Sequence, residues 1–170
     1  ATAETDGPEI EWEKTFGGIA YDWAYSGQQT IEQGYIMAGS TRSFGAGFSD
    51  AYLIKTDSDG NKQWNRTFGG SSDDTALSVQ QTLDEGYIMA GKSNSFAFNK
   101  VYLVKTYPKG SKQWEKGLSI YNYGEPHSVM QIPDGYIITV DSILTFQDVF
   151  LMKTDSMETY SGTRHLEEIL

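Results

Sequence analysis

The chain has 170 residues, of which 38% are hydrophobic, enough for one sizeable core. Its 13 basic and 23 acidic residues give a net charge of −10, which argues against nucleic acid and anionic membrane surfaces as partners. The absence of cysteine excludes disulfides, thiolate metal sites and a thiol nucleophile. No apolar run approaches the roughly 18 residues that a membrane-spanning helix needs, so none is expected.

A sequence repeat with a period of about 50 residues organises the chain. The motif WEKTFGG returns as WNRTFGG and, more loosely, as WEKGLSI, and each version opens on a tryptophan: Trp12, Trp64 and Trp114. The triplet GYI also occurs once in each copy: from Gly34, Gly86 and Gly135. A unit of this length cannot bury its apolar face alone, so we expect the copies to stack on one another.

Each copy contains short runs rich in tyrosine, isoleucine, valine and threonine, which are typical of β-strands. In the first copy the four runs cover residues 22–30, 34–41, 50–56 and 62–68. The runs recur in order in the second copy, and the first three recur in the third copy. Sustained helical periodicity is absent outside a short tail at residues 166–170.

Turns that contain glycine separate these runs. The turns that end at Gly34, Gly86 and Gly135 predict hairpins in which the glycine takes a positive φ angle. Gly60 has the same predicted role between the third and fourth runs, and Gly110 replaces it in the second copy. Turns this short indicate antiparallel pairing of consecutive runs.

Four antiparallel strands in about 50 residues describe one blade of a β-propeller. The sequence therefore predicts an all-β fold of β-propeller blades, built as three four-stranded antiparallel repeats. A β-sandwich would also contain short strands, but it would not require this threefold repetition of the sequence. We expect a single domain, residues 1–170, with an outer closing strand (5–16), three blades (17–68, 69–118 and 119–156) and a C-terminal tail (157–170).

The order of the repeats leaves the ring incomplete. Residues 10–16, which begin at Ile10 and end at Phe16, are predicted as the fourth strand of a blade whose other strands lie elsewhere. The third blade has no matching tryptophan after it, and three blades are too few for a ring, since propellers usually have about four to eight. Two arrangements remain open: a six-bladed homodimer closed by exchange of residues 10–16, or one part of a longer propeller.

Four motifs resemble the repeats of archaeal and bacterial cell-surface propeller proteins, in particular methanogen surface proteins: W-x-K-T-F-G-G, D-x-A-x-S-x-Q-Q-T, G-Y-I-M-A-G-S-T and D-A-Y-L-I-K-T-D-S-D-G-N-K-Q-W. The resemblance covers residues 5–156 and is weaker in the third repeat, where Gly124 replaces the aspartate. It implies a protein that is secreted or displayed at the cell surface. The first residues lack the features of a signal peptide, so any such signal would lie outside this sequence.

The expected function is that of a non-enzymatic module for adhesion, glycan or protein binding, or self-assembly. The chain has only two histidines, and no arrangement of a nucleophile with a base can be argued from them. The alternative is a propeller enzyme, either a hydrolase or a quinone-dependent dehydrogenase, with its site at the central channel.

Candidate ligand-binding residues lie in the predicted loops and at the start of the inner strands. Asp22 and Asp74 are expected to accept backbone N–H bonds there, and the alternative is a ring of carboxylates that binds a cation or sugar hydroxyls. Exposed aromatic side chains among polar neighbours can stack on sugars or on a partner protein. The aromatic candidates on this face are Trp23, Phe48, Tyr121 and Tyr123.

Asp57 and Asp59 are weak candidates for a calcium loop, because they supply oxygen ligands beside Asn61. Trp64 follows where further ligands would be needed, which favours a plain Asp-Gly turn. We therefore expect no cofactor and no metal, with calcium as the one alternative.

Overall fold

The computed structural model describes residues 7–96, 100–118, 124–141 and 149–155. Within these residues the chain forms strands and no helix. The strands are β1 (Asp22–Gln29), β2 (Tyr35–Thr41), β3 (Asp50–Thr56), β4 (Lys62–Phe68), β5 (Asp74–Gln81), β6 (Tyr87–Ser93), β7 (Lys100–Thr106), β8 (Lys112–Leu118), β9 (Pro126–Ile132), β10 (Gly135–Asp141) and β11 (Val149–Asp155).

The strands form three antiparallel sheets in which consecutive strands are neighbours. The first sheet has the order β1-β2-β3-β4, the second has the order β5-β6-β7-β8, and the third contains β9, β10 and β11. The predicted all-β class is confirmed, and each sheet corresponds to one copy of the sequence repeat. No described strand pairs with residues 10–16.

The core lies between successive sheets. One cluster packs Ile36 and Leu53 of the first sheet against Tyr87 and Tyr102 of the second. A separate cluster joins the opposite face of the second sheet to the third: Ile88, Ala90, Val101 and Leu103 against Val129, Tyr136, Ile138 and Val140. Since both faces of the second sheet are buried, the β7 sequence VYLV is apolar at every position rather than at alternate ones.

The glycine of the first hairpin has a different role from the predicted one in two of the three sheets. In the first two sheets the positive φ angles belong to the preceding residues, Gln33 (67°) and Glu85 (63°), so the prediction for Gly34 and Gly86 was wrong. A Cβ atom on Gly34 would lie 2.2 Å from the Thr56 carbonyl oxygen, so close packing against backbone explains the glycine. Positive φ angles are confirmed at the other predicted glycines: Gly60, Gly110 and Gly135.

Candidate binding surface

Asp22 is the first residue of β1, and its hydrogen bonds connect the segment before β1 with the end of β2 and the residues that follow it. Its carboxylate accepts hydrogen bonds from the Gly18 backbone N–H (2.8 Å), the Ser43 hydroxyl (2.8 Å) and the Thr41 hydroxyl. Burial raises the pKa of Asp22, but these hydrogen bonds outweigh burial and hold the pKa below its ordinary value. The ionised carboxylate therefore contributes to stability at neutral pH.

Asp74 has the same position in β5 and is fully buried. Its carboxylate accepts hydrogen bonds from the Gly70 backbone N–H (2.9 Å) and the Ser95 hydroxyl (2.6 Å). Its own backbone N–H donates to the Ser49 carbonyl at 2.7 Å, which links the first two sheets. One carboxylate oxygen has no hydrogen-bond partner among the described residues. The ligand-binding role of Asp22 and Asp74 stays a prediction.

We expect Asp22→Asn to lower the free energy of unfolding by about 1–2 kcal/mol at neutral pH, because both carboxylate oxygens accept hydrogen bonds, one from Gly18 and Ser43 and the other from Thr41, and asparagine keeps only one accepting oxygen. A carboxylate with a lowered folded-state pKa stabilises the protein above its unfolded-state pKa and loses that effect as the pH falls through the folded-state pKa. The difference between variant and wild type should therefore shrink as the pH falls below about 4.

Urea unfolding across this pH range measures the difference. Asp59→Asn is the matched control, because the Asp59 carboxylate is exposed and accepts no hydrogen bond from the described residues. A difference for Asp22→Asn that does not change with pH would contradict the assignment.

Trp23 lies in an exposed aromatic group at the same end of the first sheet. Trp23 is the second residue of β1, so it lies in a strand and not in a loop. The Tyr21 ring stacks on the Trp23 ring with centroids 5.8 Å apart and an interplanar angle of 23°. The Arg42 guanidinium lies 5.4 Å from the centre of the Trp23 ring, and both side chains are exposed. We call Tyr21, Trp23 and Arg42 the aromatic–arginine surface.

The second sheet has the same backbone at this place without the same side chains. The Arg42 backbone N–H donates to the Tyr21 backbone carbonyl at 2.9 Å. In the second sheet, the Asn94 backbone N–H donates to the Asp73 backbone carbonyl at 3.0 Å. Thr75 stands where the first sheet has Trp23. The fold therefore does not require the aromatic and cationic side chains of the first sheet.

Phe48 is the most exposed of the described loop phenylalanines, at 78%. Phe44 instead packs against Tyr52 with ring centroids 5.8 Å apart, and Phe96 stacks on Tyr102 with centroids 5.4 Å apart. These two rings extend the core, whereas Phe48 is free to contact a partner. Tyr121 and Tyr123 lie outside the described residues.

Asp57 organises the turn between β3 and β4. Its carboxylate accepts the backbone N–H groups of Asp59 (3.0 Å) and Asn61 (2.7 Å) and the side-chain amide of Asn61 (3.1 Å). The two hydrogen bonds from Asn61 are the main reason that the pKa of Asp57 is lowered. Among the described residues, no group of three or more histidine or acidic side chains is placed to hold a metal ion.

The third sheet carries polar side-chain contacts that sequence reasoning missed. The His127 ring lies 3.1 Å from the Asp141 carboxylate, and Lys92 of the second sheet pairs with Glu125. The pKa of Asp141 is lowered, first by the Glu125 N–H and then by His127. The sequence did contain a sign of the His127 contact, because His127 departs from the repeat: the second copy has Leu77 at the same position.

Comparison with known proteins adds no assignment for this surface. No family model matches the chain, and no curated protein matches it. In the described part of the chain there is no helix long and apolar enough to cross a membrane. The resemblance to surface propeller repeats stays a prediction from the sequence.

Proposed function

We propose that the three sheets are blades of a β-propeller and that the chain is a non-enzymatic binding module displayed outside the cell. The repeated contact between sheets supports this arrangement. Trp64 packs edge-on against Tyr87 of the next sheet at 5.6 Å, and Trp114 packs in the same way against Tyr136 at 5.8 Å. A stack that repeats one contact in this way is how propeller blades bury their apolar faces.

The aromatic–arginine surface is the proposed ligand site, and a glycan is the proposed ligand class. The observation that carries the proposal is an exposed, stacked Tyr21–Trp23 pair beside Arg42 that the second blade does without. Aromatic faces stack on the C–H faces of sugar rings, and a guanidinium donates hydrogen bonds to hydroxyl or carboxylate oxygens. The backbone hydrogen bond from Arg42 to Tyr21 joins the two chain segments that carry these side chains.

We expect Trp23→Ala to weaken glycan binding about 30-fold, since an aromatic side chain at the centre of a binding site is worth about 2 kcal/mol. A glycan array identifies the ligand, and titration calorimetry measures the dissociation constants. Thr75→Ala, at the matching position of the second blade, is the control and should leave binding unchanged. Equal binding by wild type and Trp23→Ala, or no glycan bound by the wild type, would overturn the proposal.

A further inference from the structure

Among the residues that the structure describes, the third blade ends the stack with an exposed face and with no strand beside its last strand, β11. Leu151 is 71% exposed, whereas Leu103, at the same position of the second blade, is 2% exposed. Val149 is 82% exposed, whereas its counterpart Val101 is fully buried. Strand β11 also lacks the outer neighbour that β3 and β7 have in β4 and β8, among the residues that the structure describes. In the described part of the chain, no strand stands where a fourth strand of this blade would lie.

At the other end of the stack, residues 10–16 already lie where an outer strand belongs. Trp12 packs against Tyr35 with centroids 5.6 Å apart and planes at 63°, and Trp64 packs against Tyr87 at 5.6 Å and 64°. A Cβ atom on Gly60 would lie 2.8 Å from the Trp12 ring. The corresponding distance from Gly110 to the Trp64 ring is 2.9 Å, so residues 10–16 contact the first blade as β4 contacts the second.

The unpaired edge and the unpaired segment match in sequence. In the first blade, Phe68 pairs with Ala51, Arg66 with Leu53 and Trp64 with Lys55. Applied to β11 and residues 10–16, the same register pairs Phe16 with Val149, Lys14 with Leu151 and Trp12 with Lys153. The second blade has the equivalent pairs, so the register is a property of the repeat: Leu118 with Val101, Lys116 with Leu103 and Trp114 with Lys105.

We propose that residues 10–16 of each copy form the fourth strand of the third blade of a second copy, so that two chains close one ring of six blades. This inference rests on the proposed blade architecture. A ring of three blades lies below the usual range of about four to eight, whereas two copies related by a twofold axis supply six. Each copy donates one strand and accepts one, so both open ends of the stack are covered.

Within the chain, neighbouring blades are joined by hydrogen bonds between their inner strands. Gln28 Oε1 accepts the Gln81 backbone N–H at 2.9 Å, and Gln81 Oε1 accepts the Ile31 N–H at 2.8 Å. The next pair of blades repeats both bonds: Gln131 N–H to Gln80 Oε1 at 2.6 Å, and Leu83 N–H to Gln131 Oε1 at 2.8 Å. We call this pair of bonds the glutamine bridge.

The third blade cannot form the glutamine bridge with the blade that follows it. Met130 replaces the accepting glutamine, and Pro133 replaces the residue whose N–H donates. Proline has no N–H, and a thioether is a weak acceptor. The junction between copies therefore lacks these two hydrogen bonds, and it should be weaker than the two junctions within the chain.

Light scattering on a sizing column provides the first test. We expect a molar mass of twice 18.9 kDa for the wild type. Leu151→Lys, which places a charge on the accepting face, should give monomers, and Leu83→Lys, on an exposed turn away from the junction, is the control. A wild type that is monomeric at every concentration would overturn the proposal and point to further blades in a longer protein.

Cross-linking tests the register directly, because the native chain has no cysteine. The variant with Lys14→Cys and Leu151→Cys should form a disulfide between chains, since opposed residues on antiparallel strands have Cα atoms about 4.5–5.5 Å apart, within the range that disulfides span. Lys14→Cys with Leu83→Cys is the control. A disulfide within one chain, or none in a protein that is dimeric, would contradict strand exchange.

Installing the glutamine bridge should tighten the dimer. Met130→Gln with Pro133→Leu supplies both missing groups at each of two junctions, and we expect the dissociation constant of the dimer to fall at least about tenfold. Met130→Leu with Pro133→Leu is the control. A dissociation constant that does not fall would contradict the ring. It would mean that the third blade of one copy does not meet the first blade of the other in the way that neighbouring blades meet within the chain.

These outcomes are distinguishable from failure of the proposed function. A monomer that binds glycan through Trp23 contradicts only the ring, and a dimer that binds no glycan contradicts only the ligand proposal. The molar mass of Trp23→Ala is measured with its binding, so that loss of the site is not confused with loss of assembly.

Discussion

Gly91→Ala should lower the free energy of unfolding by more than about 3 kcal/mol, which is in the range expected when backbone must move within a core. Gly91 lies in β6, and a Cβ atom there would stand 1.8 Å from the Thr75 carbonyl oxygen and 2.8 Å from its carbon. These atoms are held by the pairing of β5 with β6 beside an irregularity between Ala76 and Ser78, so they cannot give way cheaply. Urea unfolding measures the loss.

Gly27→Ala is the matched control for this prediction, because Gly27 is also a strand glycine. A Cβ atom on Gly27 would meet nothing nearer than 3.8 Å, which is an ordinary van der Waals contact. We expect a change within about 0.5 kcal/mol of wild type. Equal effects of the two substitutions would show that strand propensity, rather than the close approach to Thr75, decides the cost.

Lys105→Met should lower the free energy of unfolding by about 2 kcal/mol, because it removes a buried ammonium that donates to a backbone carbonyl and to the half-exposed Asp84 carboxylate. The Lys105 side chain is only 4% exposed. Its ammonium donates to the Thr106 carbonyl at 2.9 Å and to the Asp84 carboxylate at 2.8 and 2.9 Å. Methionine keeps the apolar stem and leaves these acceptors without their donor.

The third blade provides the control for Lys105→Met. Lys153 makes the same pair with Asp134 at 2.6 Å, but the two side chains are 54% and 66% exposed. We expect Lys153→Met to cost less than about 1 kcal/mol, since water screens exposed pairs. Similar costs for the two substitutions would contradict the role assigned to burial. Formation of the proposed ring would cover Lys153 and would make Lys153→Met more destabilising. The comparison is therefore made with Leu151→Lys present in both variants.

The effect of Lys105→Met should also depend on pH. Burial raises the pKa of Asp84, but the hydrogen bonds and charge of Lys105 outweigh burial and lower it. The pair therefore stabilises the protein above the unfolded-state pKa of the carboxyl group, and this contribution is lost as the pH falls through the lower folded-state value. Unfolding at neutral pH and below about pH 4 should show the variant and the wild type converging.

Local sequence signals located the hairpins but not the conformation of each residue in them. The triplets that end at Gly34 and Gly86 were correctly identified as turns, yet the positive φ angles fall on Gln33 and Glu85. The glycines are needed because carbonyl oxygens from the neighbouring strand approach them closely. A glycine in a turn motif does not reveal whether it is needed for a positive φ angle or for close packing, because the packing depends on a residue of the neighbouring strand at least 20 positions away.

The candidate site was predictable only in part. The sequence pointed to Trp23 as an aromatic residue near a loop, because tryptophan is unusual among polar neighbours. It did not point to Arg42, which reaches the Trp23 ring from the end of β2, across the register of two paired strands. The hydrogen bonds of the glutamine bridge join residues about 50 positions apart and were also missed.

The sequence by itself determined the strands, their turns and their threefold repetition, since these depend on residue preferences and spacing within a few positions. Only the tertiary structure decided the environment of each repeated residue. Leu103 and Leu151 are the same residue at the same repeat position, yet one is buried and the other exposed. Lys105 and Lys153 differ in the same way. Burial depends on the neighbouring sheet, and identical local sequences contain no information about which neighbour stands beside them.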